Sequence, residues 1–299
     1  MSTSAPMTIP AAPRPPVSTF TGGSAVTGGS AFAGGPWLAE LRARQPALAS
    51  VAIAFLLAMV PTLLAMQFDA RTVNDISVWV KPTKFLLSLG VFYATLAWCF
   101  GYLPRAAQHT RGGRFVIWGS ITVGVVEMVW LLAAAVQGVP SHFNATSVVW
   151  QVAYFSAGMG ATLLLVAMTV QARMIARDAL PSVSPVLRAG LVQGAYIALV
   201  TTLVTAFFLA SGKGHWVGGT PSDAVGLPLL GWSRDGGDLR VAHFWALHAQ
   251  QMVPLLAYVL GDRLGLLRSP NAVRVLGALY VAFIVFTFVQ ALQGQPFIG

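Results

Sequence analysis

The sequence predicts an all-α polytopic membrane protein, a bundle of about seven transmembrane helices with its N-terminus in the cytoplasm. Of the 299 residues, 56% are hydrophobic and only 9% are charged, with a mean hydropathy of +0.71. A soluble domain carries about a quarter charged residues. Seven apolar stretches are long enough to cross a bilayer, and basic residues concentrate in alternate connections. We therefore expect a multi-pass protein of a cell membrane, with the lipid bilayer as its partner and a bacterial cytoplasmic membrane as its location.

A bilayer core is crossed by about 20 apolar residues in a helix. Pro61 and Pro254 lie inside two of the stretches, where neighbouring helices can satisfy the carbonyls that proline frees, so we expect kinks rather than ends. Most connections are short, which favours antiparallel neighbours in an up-and-down bundle. The predicted spans are 47–67, 84–103, 115–137, 148–171, 189–211, 241–261 and 273–293.

The transmembrane domain is predicted over residues 37–299. Two segments, one before this domain and one within it, differ in composition from the spans. Residues 1–36 are rich in Pro, Gly and Ser with a single charge, so they cannot bury enough apolar area to fold, and we predict a disordered tail. The connection 212–240 is long and glycine-rich, and it carries Trp216 and Trp232. Tryptophan favours the membrane–water interface, and this connection is therefore predicted to form an ordered extracytoplasmic cap.

The orientation follows from the basic residues. Of the 18 Lys and Arg residues, 12 fall on the side of the N-terminal tail and 6 on the other side. With 3 acidic residues on the first side and 5 on the second, the net charges are +9 and +1. The remaining acidic residue, Glu127, lies inside a span. Positive charge stays in the cytoplasm, so the N-terminus is predicted inside and the C-terminus outside. Because the basic residues are spread over short loops, the net charge of +9 does not indicate a nucleic-acid surface.

Polar side chains collect in the outer half of the predicted bundle. Glu127 lies about 15 Å, and His248 about 11 Å, from the outer end of its helix at 1.5 Å per residue. Ionisable residues inside spans are costly and commonly serve a cavity, a partner or a cofactor. The candidate ligand-binding residues are Glu127, His142, His243, His248, Gln251, Arg240 and Lys81.

Three of these residues, His142, His243 and His248, are candidate ligands of a non-covalent haem b or of a metal ion, because imidazole is a common axial ligand between helices. His243 and His248 point about 140° apart on a regular helix, so one metal ion cannot easily take both. Cys99 is the single cysteine, which excludes a CxxCH attachment motif.

Each candidate also has a plainer interpretation. The histidines can be hydrogen-bonded side chains, Glu127 can be a neutral carboxyl bonded to a neighbouring helix, and Lys81 can reach the lipid headgroups. Arg240 can bind a carboxylate or phosphate of a ligand, or it can pair with Asp235 and Asp238, and the second is favoured.

Three motifs carry a family resemblance. KPTKF at 81–85, GVPSHFN at 138–144 and DLRVAHFWALHAQQ at 238–251 resemble motifs of an uncharacterised family of bacterial multi-pass membrane proteins, over most of residues 80–255. That resemblance implies no activity. Seven spans are also similar to membrane hydrolases of the ceramidase and adiponectin-receptor type, which place two histidines at i and i+4. Here the spacing is i and i+5, and no aspartate lies in a predicted span.

Four functions remain open from the sequence. The first is a redox protein that holds haem or a metal at the outer-leaflet His/Glu/Gln site, and the second is a small-molecule or proton-coupled transporter or receptor. The third is a lipid hydrolase at the outer leaflet, although the chain has neither GxSxG nor HExxH. The fourth is a structural subunit whose polar residues hold helices together. A small-molecule ligand is expected in the first two, and protein partners remain open.

Overall fold

Helices make up most of the described chain, which in a computed structural model covers residues 35–142, 144, 147–212 and 214–299. The predicted disordered tail lies outside these residues except for Gly35 and Pro36, the latter beginning the first helix. The helices are α1 (Pro36–Arg44), α2 (Pro46–Phe68), α3 (Val80–Phe100), α4 (Arg111–Arg114), α5 (Ser120–Gln137), α6 (Val148–Asp178), α7 (Pro185–Ser211), α8 (Leu239–Ala257) and α9 (Pro270–Leu292). Two antiparallel pairs of short strands join β1 (Thr72–Val73) to β2 (Ile76–Ser77) and β3 (Trp216–Val217) to β4 (Gly237–Asp238).

Six helical segments of the described chain are long and apolar enough to cross a membrane, which confirms an all-α polytopic membrane protein. In the most apolar window of α2 only 28% of the residues are buried, as expected for a helix that faces lipid. The six segments are α2, α3, Arg111–Gln137, α6, α7 and α9. The remaining predicted span, 241–261, lies in α8 and a π-helical turn over Tyr258–Arg263, but the arginine, histidines and glutamines of α8 leave this helix less apolar than the six.

Capping residues, rather than hydropathy, decide where the helices begin. Ser147, Ser184 and Ser269 each precede a helix, and each side chain accepts a hydrogen bond from a backbone N–H in the first turn. Proline occupies the first position of α7 and α9, where its missing N–H costs nothing. For this reason α7 and α9 begin three to four residues before the apolar stretches at 189 and 273.

The closest helix pair is α7 and α8, which small residues bring together. Gly190 and Gly194 lie one turn apart on α7, and a Cβ on Gly194 would stand 2.7 Å from the Ala249 carbonyl oxygen and 2.9 Å from Pro254 Cδ. Such small residues four positions apart allow membrane helices to approach closely. Pro254 lies inside α8, as Pro61 lies inside α2, so neither proline ends its helix.

A π-helical segment, Phe115–Gly119, precedes α5, and side chains donate hydrogen bonds to backbone carbonyls in and next to it. The Ser120 hydroxyl donates to the carbonyls of Val116 and Ile117, and the Tyr93 hydroxyl of α3 donates to the Ser120 carbonyl at 2.5 Å. Gly124 leaves the room that Tyr93 needs, because a Cβ there would collide with the hydroxyl. The irregular turn is thus fixed to α3 rather than left with open backbone groups.

Alternate connections meet at the same end of the bundle. At one end, residues 214–238, called the cap loop, contact the β1–β2 hairpin, where the Asp223 N–H donates to the Asn74 carbonyl at 3.3 Å, and Gly237 packs against Ala291 at the end of α9. At the other end, the Leu180 N–H donates to the Tyr102 carbonyl at 2.9 Å. We call these the cap end and the opposite end.

Candidate ligand-binding site

The cap loop is fastened to the start of α8 by ion pairs of Arg240. Its guanidinium lies 2.7 Å from the Asp238 carboxylate and 2.8 Å from that of Asp223, and it donates to the Gly231 carbonyl at 2.5 Å. Asp238 is also the N-cap of α8, since it accepts from the Arg240 backbone N–H at 3.0 Å. Of the two aspartates considered for Arg240, the structure places Asp238 against it, whereas Asp235 accepts from Thr220. The guanidinium of Arg240 therefore binds groups of the cap loop.

His215 completes this ionic cluster. Its ring lies 3.5 Å from the Asp238 carboxylate, 3.8 Å from that of Asp223 and against the Trp216 ring at 3.8 Å between centroids. Burial alone would raise the pKa of Asp238, but the neighbouring His215 ring and hydrogen bonds from Arg240 hold it well below its usual range. Sequence reasoning selected neither His215 nor Asp223 for the site, and the expected pairing of Arg240 with Asp238 was the local signal near the cluster.

The cap loop is also bound to the first turn of α3. The Lys84 ammonium donates to the Leu230 carbonyl at 3.0 Å, next to Gly231, whose positive φ of 69° suits glycine. This contact joins two segments far apart in the sequence, and the cap loop consequently covers the start of α3.

Lys81 and Glu127, which we call the charged pair, face each other between α3 and α5. Lys81 is partly buried and lies within electrostatic range of Glu127, Arg240 and Asp223. Among the described residues no ion pair within 4.0 Å and no hydrogen bond engages either side chain of the pair. Glu127 points towards α6, where a Cβ on Gly160 would stand 3.9 Å from its Oε2. A cation and an anion thus share the cap end of the bundle without touching.

Aromatic rings form a wall beside the charged pair. The His142 ring lies 5.2 Å from the Tyr154 ring of α6 and 6.2 Å from the Phe85 ring, which is one turn along α3 from Lys81. The Ser141 hydroxyl is 3.1 Å from His142 Nδ1. Burial, helped by the nearby positive charge of Lys81, lowers the pKa of His142 to about 3. His142 is therefore a neutral imidazole at physiological pH.

The two histidines of α8 have other neighbours. The His243 Nδ1 lies 3.0 Å from the Thr205 hydroxyl of α7, and the His248 ring lies 4.3 Å from the Phe244 ring, with Gln251 following three residues later. In the part of the chain that the structure describes, no contact joins either histidine to Glu127 or His142. The predicted set therefore divides into the group Lys81, Glu127 and His142, the cap-loop residue Arg240, and the α8 residues His243, His248 and Gln251.

The three histidines proposed for a metal or haem do not form a cluster with each other. Within residues 35–142, 144, 147–212 and 214–299, no group of three or more His, Cys, Asp or Glu side chains is placed to hold a metal ion. His142, His243 and His248 instead contact Tyr154, Thr205 and Phe244. The haem and metal hypotheses therefore stay predictions.

A small, mostly apolar cavity lies deeper in the bundle, between α3, α6, α7 and α8. Its volume is about 20 Å³, enough for one water molecule, and Cys99, Gln171 and Gln250 are among its lining residues. Gln171 donates to the Leu96 carbonyl at 2.9 Å, whereas Gln250 Oε1 is buried with no hydrogen-bond partner among the described residues. A bridging water satisfies such a group, so this cavity suits a structural water.

No protein-family model matches the chain, and neither a curated protein nor a solved structure is significantly similar to it. The resemblance of KPTKF, GVPSHFN and DLRVAHFWALHAQQ to uncharacterised bacterial membrane proteins stays a prediction.

Proposed function

We propose that this chain is a seven-helix membrane protein of the transporter or receptor class, which receives a small polar solute from the extracytoplasmic side. The solute binds at the charged pair and the aromatic wall formed by Phe85, His142 and Tyr154. In this proposal α8 is the seventh crossing, and the N-terminus lies in the cytoplasm. The distribution of basic residues supports this orientation, because it leaves the cap end on the less positive, outer side.

The observation that carries the proposal is the charged pair itself. Lys81 and Glu127 belong to two apolar membrane helices, yet neither has a direct partner of opposite charge among the residues that the structure describes. Charged groups inside membrane helices are costly, and they commonly mark the path of a substrate or ion. A structural subunit gains most from an ion pair in direct contact, since an unpaired buried charge is destabilising. Charges held apart are better explained by a guest that comes between them.

Entry to the site requires the cap loop to move from α3. The loop is bound there by Lys84, a single side-chain contact to a backbone carbonyl, whereas its link to α8 has several ionic contacts. Because the link to α3 is the weaker of the two, we expect the loop to pivot on α8 when the site opens.

Access can be measured with thiol chemistry, because Cys99 is the single native cysteine and is buried. In a Cys99→Ala background, Gly160→Cys places a thiol beside Glu127 and keeps both charges. A membrane-impermeant thiol reagent added to intact cells is expected to label Gly160→Cys but not Arg177→Cys, the matched control at the opposite end. Failure of Gly160→Cys to react in intact cells, or reaction only after the membrane is opened, would refute the outward-facing site.

The charge of the site can be read with two reagents of opposite sign. Lys81→Cys leaves Glu127 alone, so a cationic thiosulfonate is expected to react faster than an anionic one of similar size. Glu127→Cys should reverse this order, because the positive charge of Lys81 remains. Equal rates for both reagents in both variants would show that the pair does not act on entering molecules.

Binding of a solute can then be detected by protection. The small-molecule fraction of a cell extract is expected to slow the labelling of Gly160→Cys and to leave the labelling of an exposed cap-loop variant, Ala224→Cys, unchanged. An unchanged rate at Gly160→Cys would count against the transporter and receptor classes. A Soret absorption band in the purified protein would instead favour the haem hypothesis.

A further inference from the structure

We propose that the solute is zwitterionic, with its carboxylate at Lys81 and its ammonium group at Glu127. This inference rests on the proposed function, because it names the class of molecule that the same site accepts. The juxtaposition that supports it is one free cation and one free carboxylate on facing helices, beside a wall of uncharged rings.

The other charges near the charged pair balance one another. Arg240 is paired with Asp223 and Asp238, and the Lys84 ammonium, which donates to the Leu230 carbonyl, is attracted by the same two carboxylates. Among the described residues, Lys81 and Glu127 then remain as one positive and one negative group without a direct partner. A singly charged solute would leave one of them buried and uncompensated, which is destabilising. A molecule that carries both charges satisfies both groups at once.

The two members of the charged pair are not in direct contact. The side chains influence each other electrostatically, yet they are not within the 4.0 Å of a direct ion pair. Gly160 keeps the carboxylate of Glu127 less crowded, because a Cβ there would stand 3.9 Å from Oε2 and 3.2 Å from Val123. A guest that reaches both groups at once carries its two charges at the ends of a short chain.

The aromatic wall suits the rest of such a molecule. Phe85 is one turn along α3 from Lys81, and its ring packs near that of His142, which in turn lies against Tyr154. His142 adds a ring without adding a charge. Methylene groups gain from contact with rings, and an ammonium group gains further from a nearby aromatic face. A charged His142 would have repelled the ammonium group and upset the balance of the pair.

The test uses the full chain, purified in detergent, and a series of amino acids in which the two charges move apart: glycine, β-alanine, γ-aminobutyrate and δ-aminovalerate. Butyrate and butylamine are the single-charge controls. At least one zwitterion is expected to raise the unfolding temperature in a saturable way, while butyrate and butylamine do not. Lys81→Met and Glu127→Gln should each weaken the apparent affinity about 10-fold or more. Glu40→Gln, a matched change at the opposite end, should leave it unchanged.

A second variant and a second measurement keep the test decisive if a single substitution does not fold. The double exchange Lys81→Glu with Glu127→Lys keeps a balanced pair, and it should keep zwitterion binding because the ligand can reverse its direction. The same zwitterion should slow the labelling of Gly160→Cys. If Gly160→Cys reacts from outside but no zwitterion protects it or raises the unfolding temperature, this inference is wrong while the outward-facing site stands. Equal protection by butyrate or butylamine would also overturn it.

Discussion

Replacing Arg240 by methionine removes the charge that holds the cap loop and keeps much of the side-chain volume. The substitution leaves Asp223 and Asp238 buried, with side chains 7% and 1% exposed, and it removes ionic contacts of 2.8 and 2.7 Å. Removing one partner of a buried pair costs about 3–5 kcal/mol. Asp238 keeps hydrogen bonds from the backbone N–H groups of Ser233 and residue 240, so we expect the lower end of that range.

Hydrogen exchange of the cap loop measures this loss. The reporting amides are those of Leu227, which donates to the Trp232 carbonyl at 2.8 Å, and of Leu239, which donates to the His215 carbonyl at 3.0 Å. A loss of about 3 kcal/mol in the opening free energy corresponds to exchange about 100-fold faster. Amides in the middle of α7 should be unaffected, because the cap loop does not support them.

Two variants separate the ion pair from other effects. Arg234→Met is the matched control, since Arg234 lies exposed in the same loop. Asp223→Asn in the Arg240→Met background should recover part of the loss, because it removes a carboxylate left without its cation. The reasoning fails if Arg240→Met accelerates exchange less than about 10-fold, which is about 1.4 kcal/mol, or no more than Arg234→Met does.

Three further outcomes follow from single sites. Gly124→Val should lower the free energy of unfolding by about 1–3 kcal/mol, because the new side chain displaces the Tyr93 hydroxyl, whereas Gly158→Val meets open space; thermal unfolding in detergent compares them. Between pH 6.5 and about 3 the unfolded chain binds a proton at His142 that the folded chain excludes, so stability decreases as the pH is lowered. His142→Phe should make the unfolding temperature depend less on pH in this window. The lowered pKa of Asp238 stabilises the cap loop above about pH 4, and this contribution is lost below it; the fluorescence of the buried tryptophans should report the loss, and Asp238→Asn should abolish it.

Hydropathy was readable in the sequence because it is a local property. Six predicted spans correspond to apolar helices, and the prolines at 61 and 254 are tolerated inside helices as expected. The predicted boundaries differ by a few residues, since Ser184 and Ser269 begin their helices ahead of the apolar runs. Whether α8 crosses the membrane is the exception, because its polar side chains make composition alone ambiguous.

The partners of the polar residues were beyond the sequence. Similar depths suggested that Glu127 and His248 share a level, but depth says nothing about the direction in which a side chain points around its helix. The structure places Glu127 near Lys81, while His248 lies against Phe244. For Lys81 the sequence favoured the lipid headgroups over a site, and it could not show that the cap loop lies against the first turn of α3.

The sequence by itself determined that this is a helical membrane protein, where most helices run, and that ionisable groups gather at one end. Bilayer thickness and the cost of burying backbone polar groups impose those features on any chain of this composition. The tertiary structure alone decided which charges meet, because helix rotation and packing through Gly190, Gly194 and Gly124 set the facing surfaces. It places Arg240 in direct contact with Asp223 and Asp238, and it places Lys81 near Glu127 without a direct contact.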